Sequence, residues 1–222
     1  MLRNDLPEAR RQWAIAQYNF DLVRSQLTDR STTELSMAGR LQDQPFFIGR
    51  TGLHAVEADL FGASTTTLRA DAETLVTYGT VLEFGLLRAQ RTPSAMLLTT
   101  VENLGWTVTN VLDHPQELYA RCNLLDVAAS IDLATSVLNA SKPIAELVSP
   151  HEFATATRRL ADLQGTLRAA TTTQHDGVNS TPDTSVSAAQ WRLLAVQINA
   201  LMTPLSALSG DLDGYGTGRT YA

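Results

Sequence analysis

Apolar residues recur along most of the chain at alternating intervals of three and four positions, which is the spacing of an amphipathic helix. The first such run starts at Leu6, passes through Trp13 and Phe20 and ends at Leu27. This spacing matches the a and d positions of a heptad, which line the seam between packed helices. The run therefore predicts a first helix that buries one stripe of side chains against other helices.

Five later segments repeat this spacing and are also predicted to be helices. Pro93 and Pro150 stand at the start of two of them, where the missing N–H of a proline costs nothing. Pro115 is predicted to open the longest helix and Pro143 to end it. The five apolar seams run over Leu68–Ala89, Leu97–Val111, Leu124–Leu138, Phe153–Ala170 and Leu194–Leu208. Six such helices predict an all-α fold, a multi-helix bundle of mostly antiparallel helices.

Two of these helices carry a further signal. Residues 74–87 are rich in threonine, valine and aromatic residues, so a strand is an alternative there. The helix is favoured because the three-four spacing holds for more than three turns. The final helix, predicted over residues 185–209, has a second apolar stripe that includes Leu193 and Val196. Two adjacent stripes predict a wide apolar face that is buried on two sides.

Residues 40–67 form an irregular apolar segment. Pro45 and three glycines interrupt the helical pattern, and a short helix is predicted over Leu53–Leu60. An apolar segment between helix breakers is either a loop inserted into the core or a contact surface for a partner. The large apolar residues on which these two interpretations depend are Phe46, Phe47, Ile48, Leu60 and Phe61.

The last 13 residues, 210–222, contain four glycines and two tyrosines. This composition predicts an extended Gly/Tyr tail that is flexible or bound to a partner. We expect residues 1–209 to form a single helical bundle domain. A division between residues 91 and 93 is the alternative.

Composition and charge restrict the classes of partner. The chain has 17 basic and 23 acidic residues, and its net charge is −6. Without a cluster of basic residues, no direct nucleic-acid binding is expected. No apolar run approaches the ~18 residues that span a membrane, and the N-terminus does not resemble a secretory signal. We therefore expect a cytoplasmic protein, or a virion component if the protein is viral.

Candidate chemistry is sparse. His54 and Glu57 share a three-residue spacing with His114 and Glu117, which places each pair on one helical face. Di-iron bundle proteins use the opposite order, Glu-x-x-His, together with further glutamates. We therefore expect these four residues to have surface or capping roles, with no metal and no cofactor. The single cysteine, Cys122, is predicted to be a small buried apolar residue.

The sequence thus favours a non-enzymatic structural or assembly protein, a helical subunit of a larger homo-oligomeric particle. A virus or bacteriophage virion component fits this description. One alternative is a regulatory adaptor that presents the apolar residues 46–61 to a partner, and another is a metal- or cofactor-binding helical enzyme. Partners would be further copies of the chain and other subunits of the assembly. The residues predicted to contact them are Trp13, Phe20, Phe46, Phe47, Ile48, Leu60, Phe61, Tyr215 and Tyr221.

Overall fold

The computed structural model describes residues 6–24, 53–61, 66–87, 92–112, 123–170 and 186–216, and nearly all of them are helical. The α-helices in these ranges are α1 (Leu6–Arg24), α2 (Leu53–Phe61), α3 (Leu68–Leu87), α4 (Pro93–Trp106), α5 (Asn123–Val148), α6 (Pro150–Ala170) and α7 (Ala188–Gly216). A π-helical turn, Thr107–Leu112, continues α4 directly. The predicted all-α class is confirmed for the described residues, and the strand alternative for residues 74–87 is wrong.

The larger hydrophobic cluster is built by α4, α5, α6 and α7. α5 and α7 both contact α4 and α6, and they also contact each other. The seams predicted for α6 and α7 supply much of the cluster, since their residues repeat on one side of each helix. The buried residues from these two seams are Phe153, Ala156, Leu160, Leu163, Leu194, Ile198, Leu201, Leu205 and Leu208.

A smaller cluster joins α1, α2 and α3 around Trp13, Leu53, Val56 and Leu60. In the described ranges it reaches the larger cluster mainly through α1, which packs along α5. The Tyr18 hydroxyl donates a hydrogen bond across this contact to the Asp132 carboxylate. The residues of the smaller cluster all precede residue 91, and those of the larger cluster all follow residue 93. The predicted alternative boundary between residues 91 and 93 therefore lies between the two sets. A single domain over residues 1–209 stays a prediction.

Capping groups explain where α4 and α6 begin. The Thr92 hydroxyl accepts a hydrogen bond of 3.2 Å from the Ala95 N–H, and Pro93 occupies the first turn of α4. This arrangement satisfies one of the free N–H groups at the helix start. Ser149 alone separates α5 from α6, and its carbonyl accepts from the Phe153 N–H at 3.0 Å. The predicted starts at Pro93 and Pro150 are therefore confirmed.

The prediction that Pro143 ends a helix is wrong, because α5 continues to Val148. A proline within a helix lacks the N–H that would bond the carbonyl four residues earlier, here that of Asn139. Both residues are exposed, so water can hydrate the freed carbonyl. The lost bond therefore does not force the helix to end.

The extended tail predicted from residue 210 is wrong for residues 210–216, which form the last turns of α7. Leu212 is buried in the larger cluster, and the Asp211 carboxylate accepts a hydrogen bond of 2.6 Å from the Ser149 hydroxyl. These contacts outweigh the low helix propensity of the glycines. Residues 217–222 lie outside the described residues.

The irregular segment predicted at 40–67 contains a helix, because residues 53–61 form α2. This finding confirms the short helix predicted over Leu53–Leu60 and corrects the irregular structure predicted for that part of the segment. Burial of Leu53, Val56 and Leu60 against α1 stabilises a helix that is too short to be stable alone. Residues 40–52 lie outside the described residues.

Candidate interaction surface

Trp13 and Leu60, two of the predicted interface residues, lie in the smaller cluster. The Trp13 indole Nε1 donates a hydrogen bond of 2.9 Å to the Leu53 carbonyl. Its ring and the Phe61 ring form a T-shaped contact with a centroid separation of 5.4 Å, and Leu60 is buried beside them. The side chains of Trp13 and Leu60 therefore make their observed contacts within the chain. Their binding to a partner stays a prediction that requires α1 to separate from α2.

Phe61 lies against Arg10 at the end of α2. The Arg10 guanidinium carbon stands 4.9 Å from the Phe61 ring centroid, and its Nε donates to the Leu60 carbonyl at 2.9 Å. The cation therefore satisfies a carbonyl at a helix end while it stacks on an aromatic face. Like Trp13, the half-buried Phe61 makes its observed contacts within the chain.

The remaining residues predicted to contact a partner are either exposed or lie outside the described residues. Tyr215 lies in the last turn of α7 with 55% of its surface exposed. Phe20 is part of α1, but its side chain lies outside the described residues, as do residues 46–48 and Tyr221. Their contact with partners therefore stays a prediction.

Two carboxylates in α2 are buried, so the surface or capping role expected for Glu57 is wrong. The Asp59 carboxylate accepts a hydrogen bond of 2.8 Å from the Thr67 hydroxyl, and Glu57 is enclosed beside the smaller cluster. In the part of the chain that the structure describes, no three or more His, Cys, Asp or Glu side chains converge as a metal site would require. The side chain of His54, and His114 with Glu117, lie outside that part.

A buried polar group that the sequence pattern did not reveal links α4 to α5. The Asn103 side-chain amide donates to the Ser130 hydroxyl at 3.0 Å, and the Thr107 hydroxyl lies 2.8 Å from the same oxygen. Thr107 is the first residue of the π-helical turn. Because these hydroxyl and amide groups bond one another inside the core, they fix the contact between the two helices.

Among the described residues, α7 leaves several apolar side chains of one face exposed. Leu193 is 46% exposed and Val196 is 65% exposed, although both belong to the apolar stripe predicted to be buried. Within the described residues, burial of α7 on two sides is therefore wrong. We call this surface the α7 stripe, and its residues are Ala189, Leu193, Val196, Ala200, Thr203 and Ala207.

The α7 stripe has an uncharged surface with cations at its edges. No charged residue occurs between Leu193 and Gly210. Arg192 is exposed on α7 directly before Leu193. The Arg159 guanidinium of α6 donates a hydrogen bond to the Ala200 carbonyl. An uncharged stripe over five turns is typical of a surface that packs against another apolar surface.

Other exposed apolar residues are more isolated. An open groove of about 450 Å³ runs along α3 and is lined by Leu68, Ala72 and Val76. At its edge, Arg69 and Glu73 form an ion pair of 2.9 Å, so this face of α3 is charged. Single exposed residues of this kind are normal on a protein surface and do not indicate a site.

One described helix, α7, is long and apolar enough to cross a membrane by length and composition. A core helix meets the same criterion, and α7 buries one side in the larger cluster. The criterion therefore reflects the two apolar stripes of α7 and is weak evidence for a membrane span.

Comparison of the chain with protein-family models and with curated proteins found no match.

Proposed function

We propose that the protein is a non-enzymatic helical subunit that associates with further copies of itself in a larger particle, as subunits of virus and bacteriophage virions do. The exposed α7 stripe carries this proposal. Leu193 and Val196 lie on an exposed, uncharged face of α7, and water makes such a face unfavourable. Burial of the stripe between subunits removes that cost and contributes free energy to association.

We infer a rigid scaffold behind the stripe, an antiparallel four-helix bundle of α4 to α7. The Gln164 amide donates to the Thr135 hydroxyl at 3.0 Å, and the two residues lie at nearly equal distances along the chain from Ser149. Such pairing favours a helical hairpin of α5 and α6. Between α4 and α7, the Ser94 hydroxyl lies 2.9 Å from the Ser209 carbonyl.

The same α4–α7 contact supports opposite directions for these two helices. Ser94 stands at the start of α4 and meets Ser209, which is late in α7. Gly105 stands at the end of α4 and lies close to Met202, which is earlier in α7. Burial of its core seam in such a bundle would hold α7 in place and present the stripe to a partner.

The proposal is tested by the mass of the full chain in solution, measured by light scattering after size-exclusion chromatography. We expect an oligomer whose mass falls with dilution. The substitution Val196→Glu puts a charge into the stripe and should shift the mass towards that of the monomer. Leu147→Glu is the matched control, because Leu147 is 72% exposed and belongs to a different helix, α5.

The two variants separate self-association from a general effect of added charge. A loss of mass in Val196→Glu, with the Leu147→Glu protein unchanged, supports the proposal. A native chain that remains monomeric at the highest soluble concentration contradicts it. So does an oligomer that both variants leave intact. Electron microscopy of the concentrated native protein would then show whether the oligomers grow into particles.

A further inference from the structure

The last two turns of α7, residues 210–216, have a composition that disfavours a helix. Gly210 and Gly214 each have the low helix propensity of glycine. Asp211 and Asp213 place negative charge near the C-terminal end of the helix, where the helix dipole is also negative. The last described turn contains no basic residue to offset that charge. These residues should therefore leave the helical state easily unless other parts of the chain hold them.

Two contacts hold this segment against the rest of the chain. Leu212 is 5% exposed and belongs to the larger cluster. The Asp211 carboxylate accepts a hydrogen bond of 2.6 Å from the hydroxyl of Ser149, which lies where α5 ends and α6 begins. A carboxylate is a stronger acceptor than a neutral oxygen, so this bond contributes more than a typical one. The helical state of residues 210–216 therefore depends in part on groups that other helices supply.

The part of α7 directly before this segment is held more firmly. Ser209 is buried, and its hydroxyl donates a hydrogen bond of 2.9 Å to the Ser94 carbonyl. The Ser94 hydroxyl donates in return to the Ser209 carbonyl at 2.9 Å. Leu205 and Leu208 are also buried in the larger cluster. Gly210, the next residue after Ser209, is exposed, so the firmly held part of α7 ends between these two residues.

We propose that residues 210–216 form a C-terminal clip, a helical segment that docks at the junction of α5 and α6 and undocks as a unit while residues 188–209 stay helical. Local opening of this kind requires no new helix nucleus when the clip redocks, because the remainder of α7 is preserved. The docked clip covers part of the larger cluster through Leu212, and undocking exposes that part. The clip does not depend on the proposed association of subunits.

Amide hydrogen exchange of the full-length chain, followed by mass spectrometry of peptic peptides, measures the opening of the clip. Relative to their intrinsic rates, the amides of residues 210–216 should exchange faster than those of residues 194–205 but more slowly than a free peptide. Gly210→Ala raises the helix propensity inside the clip, and open space surrounds the position of the added Cβ. This variant should therefore slow exchange at residues 210–216 by about fivefold.

Gly165→Ala is the matched control for Gly210→Ala. Gly165 lies within α6, and open space also surrounds the position of its added Cβ, so the substitution raises helix propensity outside the clip. It stabilises the native chain against global unfolding but not against opening of the clip. Exchange at residues 210–216 should therefore stay unchanged. Equal slowing in the two variants would show that these residues open only with the whole chain, which overturns the proposal.

Ser149→Ala tests the docking contact from outside the clip. The substitution removes the hydroxyl donor and leaves the sequence of the clip intact, so exchange at residues 210–216 should become about tenfold faster. Unchanged exchange in this variant contradicts docking through the Asp211 carboxylate. Exchange of the native segment at the rate of a free peptide contradicts docking altogether. If circular dichroism shows that Ser149→Ala has lost helical content, the two glycine variants still decide whether the clip opens separately.

Discussion

Two neighbouring residues of α7 should differ sharply in their contribution to the stability of the single chain. Ile198 is fully buried in the larger cluster, whereas Val196 lies on the α7 stripe. Ile198→Ala removes three buried carbons, which corresponds to about 2.4 kcal/mol of transfer free energy at ~0.8 kcal/mol per carbon. The cavity that remains adds to this cost, so we expect a loss of about 3 kcal/mol in the free energy of unfolding.

Val196→Ala should leave the free energy of unfolding of the monomer almost unchanged. The side chain is 65% exposed, so its truncation removes little buried area. Alanine also has a higher helix propensity than valine, which offsets the small loss by a few tenths of a kcal/mol, about 0.5 at most. The two variants of α7 should therefore differ by about 3 kcal/mol, although their positions are two residues apart.

Urea unfolding, followed by far-ultraviolet circular dichroism and tryptophan fluorescence, measures this difference. Protein concentrations must be low enough for light scattering to show a monomer, since association would stabilise the native chain and reduce the contrast. With a slope near ~2 kcal/mol per molar urea, the Ile198→Ala midpoint should fall by roughly 1.5 M. Equal losses in the two variants would refute the assignment of Ile198 to the core and Val196 to the surface.

Two further predictions concern α5 and its contact with α1. Burial, followed by the hydrogen bond to Asp132, raises the pKa of Tyr18 above its usual value. The neutral Tyr18 hydroxyl therefore makes its full contribution to the free energy of unfolding below pH ~10, the pKa of tyrosine in an unfolded chain. This contribution is lost as the pH rises further. Between pH 8 and about 11, the thermal midpoint of the Tyr18→Phe variant should therefore fall less steeply than that of the native chain. Equal falls of the two midpoints with pH would contradict this. Pro143→Ala restores an N–H that can bond the Asn139 carbonyl, so we expect about 1–3 kcal/mol of added stability in urea unfolding. A destabilised Pro143→Ala protein would show that the proline is required at this position.

The sequence pattern predicted the core faces of the long helices well. In α6 the predicted seam Phe153, Ala156, Leu160 and Leu163 is buried, because period-matched apolar residues must share one side of a helix. Local capping chemistry similarly located the starts of α4 and α6 at their prolines. These features depend on residues within a few positions of one another, which a single sequence contains directly.

Features that depend on contacts distant along the chain were not predictable in this way. The burial of Leu212 and the bond between Asp211 and Ser149 keep α7 helical through residues that favour a turn by themselves. The pairing of Asn103 with Ser130 gives two ordinary polar residues a place in the core. Neither contact has a local signal, because each partner is supplied by a different helix.

The α7 stripe shows why a correctly identified apolar pattern led to a wrong prediction of burial. A helical repeat of apolar residues indicates that a face is buried, but it does not specify whether the covering surface belongs to the same chain. For the stripe through Ile198 the larger cluster supplies that surface, and for the stripe through Val196 no described helix does. Burial on both sides of α7 is wrong within the described residues, and the proposed association of subunits would make it correct. The solution masses of the native chain and of the Val196→Glu variant therefore decide whether the second stripe is covered by another subunit.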